Sequence, residues 1–301
     1  MGIEITLRKW RQNMTKERIE NWLGNRMKDH PGNVISADFA IRPELVGVHF
    51  FDEPLVGIGS AEDPLFDEYK KEGVIGPWHL SPKEWMPEAN TVVSVFFPFT
   101  EEVRRSNRET EGEPSAEWLH GRIEGQAFLA DTMRELAAWM NEQNVPTLVP
   151  AQDERFQSVM GGQGITGYEN INEKTYGSRW SERHAAYVCG LGTFGLSKGI
   201  ITEKGMAGRF GSLVTVMEAE PDVRKYSGLY DYCIFCGACI RRCPVQAISF
   251  EEGKKHPLCH QKLMQTKRDF APRLGCGKCQ TGVPCESRIP EKKTVDSRLY
   301  I

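Results

Sequence analysis

Apolar residues in the first 220 positions recur at helical spacing in some stretches and at strand spacing in others, which predicts a mixed α/β (α+β) fold. Between Thr15 and His30 the residues Ile19, Trp22, Leu23 and Met27 lie near one face, and Pro31-Gly32 ends the helix. Short strands are predicted over Val46–Phe51 and Leu55–Gly59, with a helix near Pro64–Lys71. Thr91–Phe97, β-branched and aromatic, reads as a buried strand. The acidic, polar stretch Glu101–Pro114 reads as a solvated loop. Ser115 to Asn144 carries the strongest helical signal, with Leu129, Met133, Leu136 and Met140 at i, i+4, i+7 and i+11 as a core stripe. A strand over Val145–Val149, a glycine-rich loop from Met160 to Gly167, a helix over Ser181–Cys189 and strands over Lys198–Thr202 and Phe210–Met217 follow. Near Pro221 the pattern gives way to cysteine-bearing turns and short helices, which divides the chain into 1–220 and 221–301.

Composition narrows the classes. The 301 residues are 40% hydrophobic and 10% aromatic, which excludes intrinsic disorder, and a net charge of -3 argues against electrostatic capture of nucleic acid or membrane. No apolar run approaches the roughly 18 residues that a spanning helix needs. The first residues show no apolar signal core and no twin arginine, so the expected location is cytoplasmic. Charge is unevenly spread. From Asp222 onward about 15 Lys and Arg stand against 8 Asp and Glu, while the preceding part is acidic. Several of these cations lie within a few residues of a cysteine, which points to compensation of thiolate charge rather than to nucleic acid.

Eight of the nine cysteines lie between Cys233 and Cys285, and Cys189 stands alone as a small buried hydrophobe. An odd total with no secretion signal argues against a disulfide framework. Cys233-Ile-Phe-Cys236-Gly-Ala-Cys239-Ile-Arg-Arg-Cys243-Pro244 is the C-x2-C-x2-C-x3-C-P run of bacterial ferredoxins, in which three thiolates cap one cubane and the fourth is directed to another. A zinc site would instead pair two cysteines with a distant pair. Cys259, Cys276, Cys279 and Cys285 form a second, irregular set. Borrowing the crossed ferredoxin pattern, one [4Fe–4S] cluster takes Cys233, Cys236, Cys239 and Cys285, and the other takes Cys243, Cys259, Cys276 and Cys279. Eight thiolates then fill two clusters with none left over.

Upstream of the cysteines, Ser181-Glu-Arg-His-Ala-Ala-Tyr-Val-Cys-Gly-Leu-Gly-Thr-Phe-Gly195, Gly199-Ile-Ile-Thr-Glu-Lys-Gly205 and Gly211-Ser-Leu-Val-Thr215 resemble the epoxyqueuosine reductases and reductive dehalogenases. Those families carry an E-R-x-x-A-x-x-A-G-L-G-x-x-G signature ahead of the same two-cluster module. The resemblance spans about Pro43 to Cys285. It implies a nitroreductase-like corrinoid-binding domain fused to a ferredoxin-like module, with the clusters reducing cobalt and the cobalt reducing a substrate. Gly190, Gly192, Gly195 and Thr215 are the implied cofactor-binding residues. Gly190, Gly192 and Gly195 also spell G-x-G-x-x-G, but a helix rather than a strand precedes them, which argues against a dinucleotide site. A flat macrocycle needs a side-chain-free edge, and a tight helix–strand turn needs the same glycines.

No D-x-H-x-x-G occurs, so a corrinoid, expected as cobalamin, should bind base-off without a protein histidine on the metal. His184, inside the signature, reads as a packed rather than a ligating histidine. Epoxyqueuosine reductases place an aspartate a few residues before the E-R pair, where this chain has Tyr176. Reductive dehalogenases use a tyrosine as proton donor, so the resemblance implies Tyr176 in that role, with Arg183 or Arg179 lowering its pKa. A loop tyrosine covering the pocket is the alternative. The chain ends 16 residues after Cys285, where epoxyqueuosine reductases carry a further domain that grips transfer RNA. The expected partners are therefore a small-molecule substrate and a reduced ferredoxin or flavodoxin-type donor, with transfer RNA and membrane disfavoured. Three other readings stay open: a two-cluster electron carrier without chemistry of its own, a flavin-dependent reductase on the same fold, and epoxyqueuosine reduction without the further domain, which would bind transfer RNA with an affinity that falls with salt.

Overall fold

The computed structural model describes residues 14–159, 164–168 and 177–291. In chain order the helices are α1 (Lys16–Asp29), α2 (Leu65–Glu68), α3 (Pro82–Trp85), α4 (Glu101–Glu109), α5 (Ala116–Glu142), α6 (Glu182–Val188), α7 (Ala238–Arg242) and α8 (His256–Asp269). The strands are β1 (Leu55–Ser60), β2 (Thr91–Pro98), β3 (Thr147–Leu148), β4 (Gly192–Phe194), β5 (Ile200–Thr202), β6 (Gly208–Thr215), β7 (Ile248–Ser249) and β8 (Gly253–Lys254). Among the described residues no helix is long and apolar enough to cross a membrane.

An antiparallel sheet in the order β1-β2-β6-β3 forms the centre. Every position of β2 is buried, so this strand has protein on both faces, as its unbroken apolar run requires. The long helix α5 packs on the sheet. The stripe of Leu129, Met133, Leu136 and Met140 is wholly buried, and Ser115 caps the helix by accepting from Trp118 N. Gly121 and Gly125 let α5 approach the rings of Phe99, Phe50 and Phe51.

Three expectations need correction. Glu101–Pro114 is not a loop throughout: Thr100 caps α4, Glu101 and Glu102 complement its N-terminus, and Arg104 pairs with Glu101. Only Val103 and Asn107 of that helix face inward, too few to give an apolar period. Val46–Phe51 makes isolated bridges at His49 and Phe51 rather than a strand, since Gly47 turns the backbone through φ +90°. The strand expected from Lys198 starts at Ile200, because Lys198 itself sits at φ +60° in a turn.

Candidate cluster and cofactor site

The cysteines gather in two groups. Cys233, Cys236, Cys239 and Cys285 line one small cavity, together with Gly195, Ile201, Met206, Ala238 and Val283. Phe235 and Gly237, at φ +49° and +67°, fold the first run so tightly that its three thiols share that space. Cys285 reaches it from the far end of the module, with its carbonyl accepting from Met206 N. Burial, followed by the charges of the neighbouring thiols, pushes Cys285 up to about 12 and Cys239 up to about 11. Such thiols stay protonated unless a metal draws the proton off. Cys236 is exposed, so this group lies at the surface.

Cys243, Cys259, Cys276 and Cys279 line a second and larger cavity of about 730 Å3. Cys259 comes from α8, while the turn carrying Cys276 and Cys279 is pinned to α4. Asn107 Nδ2 donates to the Cys276 carbonyl (3.2 Å) and to Thr281 Oγ1 (3.0 Å), and the buried Lys278 ammonium donates to the carbonyls of Asn107 (2.7 Å) and Thr110 (2.6 Å). Burial lowers Lys278 to about 8. Gly277 is required here: at φ +68° a Cβ would stand 2.0 Å from the Trp118 ring. Cys239 of the first group feels the charge of Cys279 of the second, so the two groups are adjacent. Among the described residues no three Cys, His, Asp or Glu side chains converge tightly enough for a single metal ion. A donor set of four thiols around a cavity suits a cubane, which holds its ligands apart around its own volume.

The α/β part lines the same larger cavity. Arg122 (α5), Arg183 and His184 (α6), Phe194 (β4), Arg209 (β6) and Tyr69 all line it. Burial pulls all three arginines below their ordinary range, Arg209 to about 9. The charges of Cys279 and Cys259 act the other way on Arg183. His184 Nδ1 shares a 2.7 Å hydrogen bond with Ser181 Oγ, and its ring packs between Tyr69 (centroids 4.6 Å) and Phe194 (5.0 Å). Burial, helped by His79 and Arg183, lowers it to about 3, so the imidazole is neutral. Burial raises Tyr69, which stays a neutral phenol.

The residues expected at the site fall in several places. Arg183 is in the cavity wall. Tyr176 lies outside the described residues. Gly192 belongs to the β4–β5 hairpin, where a Cβ would meet Ile201 O at 2.0 Å. Gly195 turns the same hairpin against the first cysteine group. Gly190, at φ +78°, follows α6 and borders a separate groove of about 830 Å3 beside Asp222 and Lys16. Thr215 is buried in the sheet, bonded to Thr147 and to the Pro146 carbonyl. None of these four lines the 730 Å3 cavity. Cys189 is fully buried, as expected, and burial raises its pKa. Sequence reasoning passed over Arg122, Arg209 and Tyr69, which come from three distant elements and carry no local motif.

Residues 229–249 match the family model of the 4Fe–4S binding domain. No curated protein matches the chain. Among solved structures, a catabolic reductive dehalogenase superposes with a TM-score of 0.50 at 16% identity, covering 91% of this chain and 36% of that one. The chain has the fold of that reductive dehalogenase. Two epoxyqueuosine reductase structures are also similar, both at 17% identity and each covered by 79% of this chain. One, bound to an epoxyqueuosine-modified transfer-RNA stem loop, has a TM-score of 0.47 and 62% of its chain covered. The other, from Streptococcus thermophilus, has a TM-score of 0.45 and 64% covered. This chain thus spans less than two thirds of the length of each. On the dehalogenase-like fold described here, the second cysteine group and the three arginines line one and the same larger cavity, and the first cysteine group lines a smaller one.

Proposed function

We propose that this protein is an iron–sulfur, corrinoid-dependent reductase of a small molecule. One observation carries the reading: Cys243, Cys259, Cys276 and Cys279 share a single 730 Å3 cavity with Arg122, Arg183, His184 and Tyr69 of the α/β part. An electron on a cluster held by those thiolates is already inside the cavity where chemistry would occur. Two [4Fe–4S] clusters fit the donor sets, with residues 221–301 as the ferredoxin-like module and 1–220 as the corrinoid and substrate domain. With clusters bound, Cys233, Cys236, Cys239 and Cys285 would hold the one nearer the surface, where the exposed Cys236 would face a reduced ferredoxin or flavodoxin-type donor, and Cys243, Cys259, Cys276 and Cys279 would hold the one at the larger cavity.

The cavity also suits a corrinoid. It has room beyond the thiol wall, and the buried Arg122 Nε, without a hydrogen-bond partner among the described residues, is a donor available to a macrocycle's amides. Binding is proposed to be base-off, because the D-x-H-x-x-G run is absent and Ser181, Tyr69 and Phe194 hold the His184 ring. When bound, the corrinoid supplies a low-potential cobalt centre able to break a carbon–halogen or carbon–oxygen bond. The protein's part is to keep water out with Phe99, Trp118 and Phe194, to hold the ligand with its arginines, and to supply a proton from a phenol, Tyr176 or Tyr69.

The test is anaerobic reconstitution with iron, sulfide and hydroxocobalamin, followed by gel filtration. The reading expects close to one cobalt and about eight irons per chain in the protein peak. Cobalt left wholly in the small-molecule fraction would contradict it, and a flavin spectrum in the purified protein would favour the flavin reading.

A further inference from the structure

The larger cavity is electrically one-sided. Arg122, Arg183, Lys198, Arg209, Lys254 and Lys262 line it, and among the described residues no aspartate or glutamate does. Among the described residues, only Lys262 of these has a carboxylate partner, Glu113 at 2.5 Å. The charges that favour the cationic forms of Arg183 and Arg122 are thiolates, Cys279 and Cys259 for the first and Cys259 and Cys276 for the second. Arg209 feels the other two arginines and has the neutral Gln126 on its Nε. Arg122 Nε is buried without a hydrogen-bond partner among the described residues.

A cluster offsets this charge only in part. Four thiolates on a cubane core of about two positive charges leave about two negative ones, against five cations with no carboxylate partner among the described residues. Buried unpaired cations are costly, and guanidinium forks match the planar oxygens of carboxylate and phosphate. We propose that the cavity takes an anionic ligand whose carboxylate or phosphate is held by Arg122, Arg183 and Arg209. On the reading of this cavity as the reaction site, the substrates are then organic anions rather than neutral molecules. The same oxygen chemistry is also carried by the phosphate of a cobalamin tail, and the experiment separates the two.

Cluster-loaded protein without corrinoid is titrated calorimetrically with 4-chlorobenzoate and with its methyl ester, and separately with cobalamin and with cobinamide, which lacks the tail phosphate. The expected result is at least a tenfold preference for the acid over the ester, lost in R183Q and R209Q and restored in part by R183K. A preference that appears only between cobalamin and cobinamide, and falls in the same variants, assigns the anion to the tail and overturns the substrate class while keeping the arginine site. Equal binding within both pairs overturns the proposal. Iron content and circular dichroism identify any variant that has misfolded. Chlorobenzoate binding with neither corrinoid bound would sink the corrinoid reading and leave the anion site standing.

Discussion

Glu182 and Arg183 are neighbours in the chain but meet opposite surroundings. The Glu182 carboxyl is buried and accepts from Ser212 Oγ at 2.6 Å, whereas Arg183 opens into the 730 Å3 cavity near Cys259 and Cys279. The helix α6 thus anchors its first residue in the sheet and presents the next to the site. Ser212 in turn accepts from the Trp180 indole at 2.8 Å, so the anchor is a short hydrogen-bonded chain.

Burial raises Glu182 from 4.5 to about 7. A carboxyl whose folded pKa is raised contributes fully below its unfolded value, and that contribution is lost as pH climbs through the folded one. Stability should therefore fall between about pH 5 and 7, by roughly 3 kcal/mol at most. Denaturant melts of E182Q should lack that slope while those of the wild-type protein show it. An unchanged slope in E182Q would assign the titration to another group.

The grouping of the thiols predicts a pattern of non-additivity. C259S and C243S should each remove the same cluster, so the double variant should lose no more iron than either single one, about half of the total. C239S combined with C243S should lose nearly all. Iron and sulfide assays on reconstituted variants decide this, and equal losses from both doubles would break the crossed assignment.

Much of this arrangement could be read from the residues alone. The α5 stripe was legible because four large apolar side chains repeat at helical spacing, and the C-x2-C-x2-C-x3-C-P run was legible because its ligands are local. The helix α4 was not, because its inward residues are only Val103 and Asn107 among charges that resemble a solvated loop. Arg122 and Arg209 carried no signal, since nothing nearby in sequence tells that α5 and β6 bring them to the cavity of the cysteines. The glycines after α6 signalled close backbone approach correctly in kind. At Gly192 the approaching group is the Ile201 carbonyl.

That contact gives a prediction about stability. Gly192→Ala places a methyl group 2.0 Å from Ile201 O, inside the β4–β5 hairpin, and should destabilise the protein by roughly 2–4 kcal/mol. Thermal unfolding should register it whether or not a cofactor is present. A variant as stable as the wild type that had lost only corrinoid binding would instead place Gly192 at the cofactor.

The proton donor is separable by substitution. Y176F should lower kcat by roughly 100–10,000-fold if Tyr176 donates, on the usual scale of general acid catalysis, with cobalt retention unchanged. If Tyr69, whose ring lies against His184, is the donor, the loss should appear in Y69F. Single-turnover rates measured across pH for both variants distinguish them, and undiminished rates in both would remove the phenol from the account.

The most direct measurement is an electron paramagnetic resonance spectrum of the anaerobically reconstituted protein mixed with Co(II) cobalamin. A protein-bound, base-off cobalt signal, broadened by spin coupling when the clusters are reduced, is the expected result, since the cavity that would hold the corrinoid is walled by Cys243, Cys259, Cys276 and Cys279. A spectrum containing only free cobalamin and uncoupled clusters would contradict the account and leave an electron carrier or a flavin enzyme in its place.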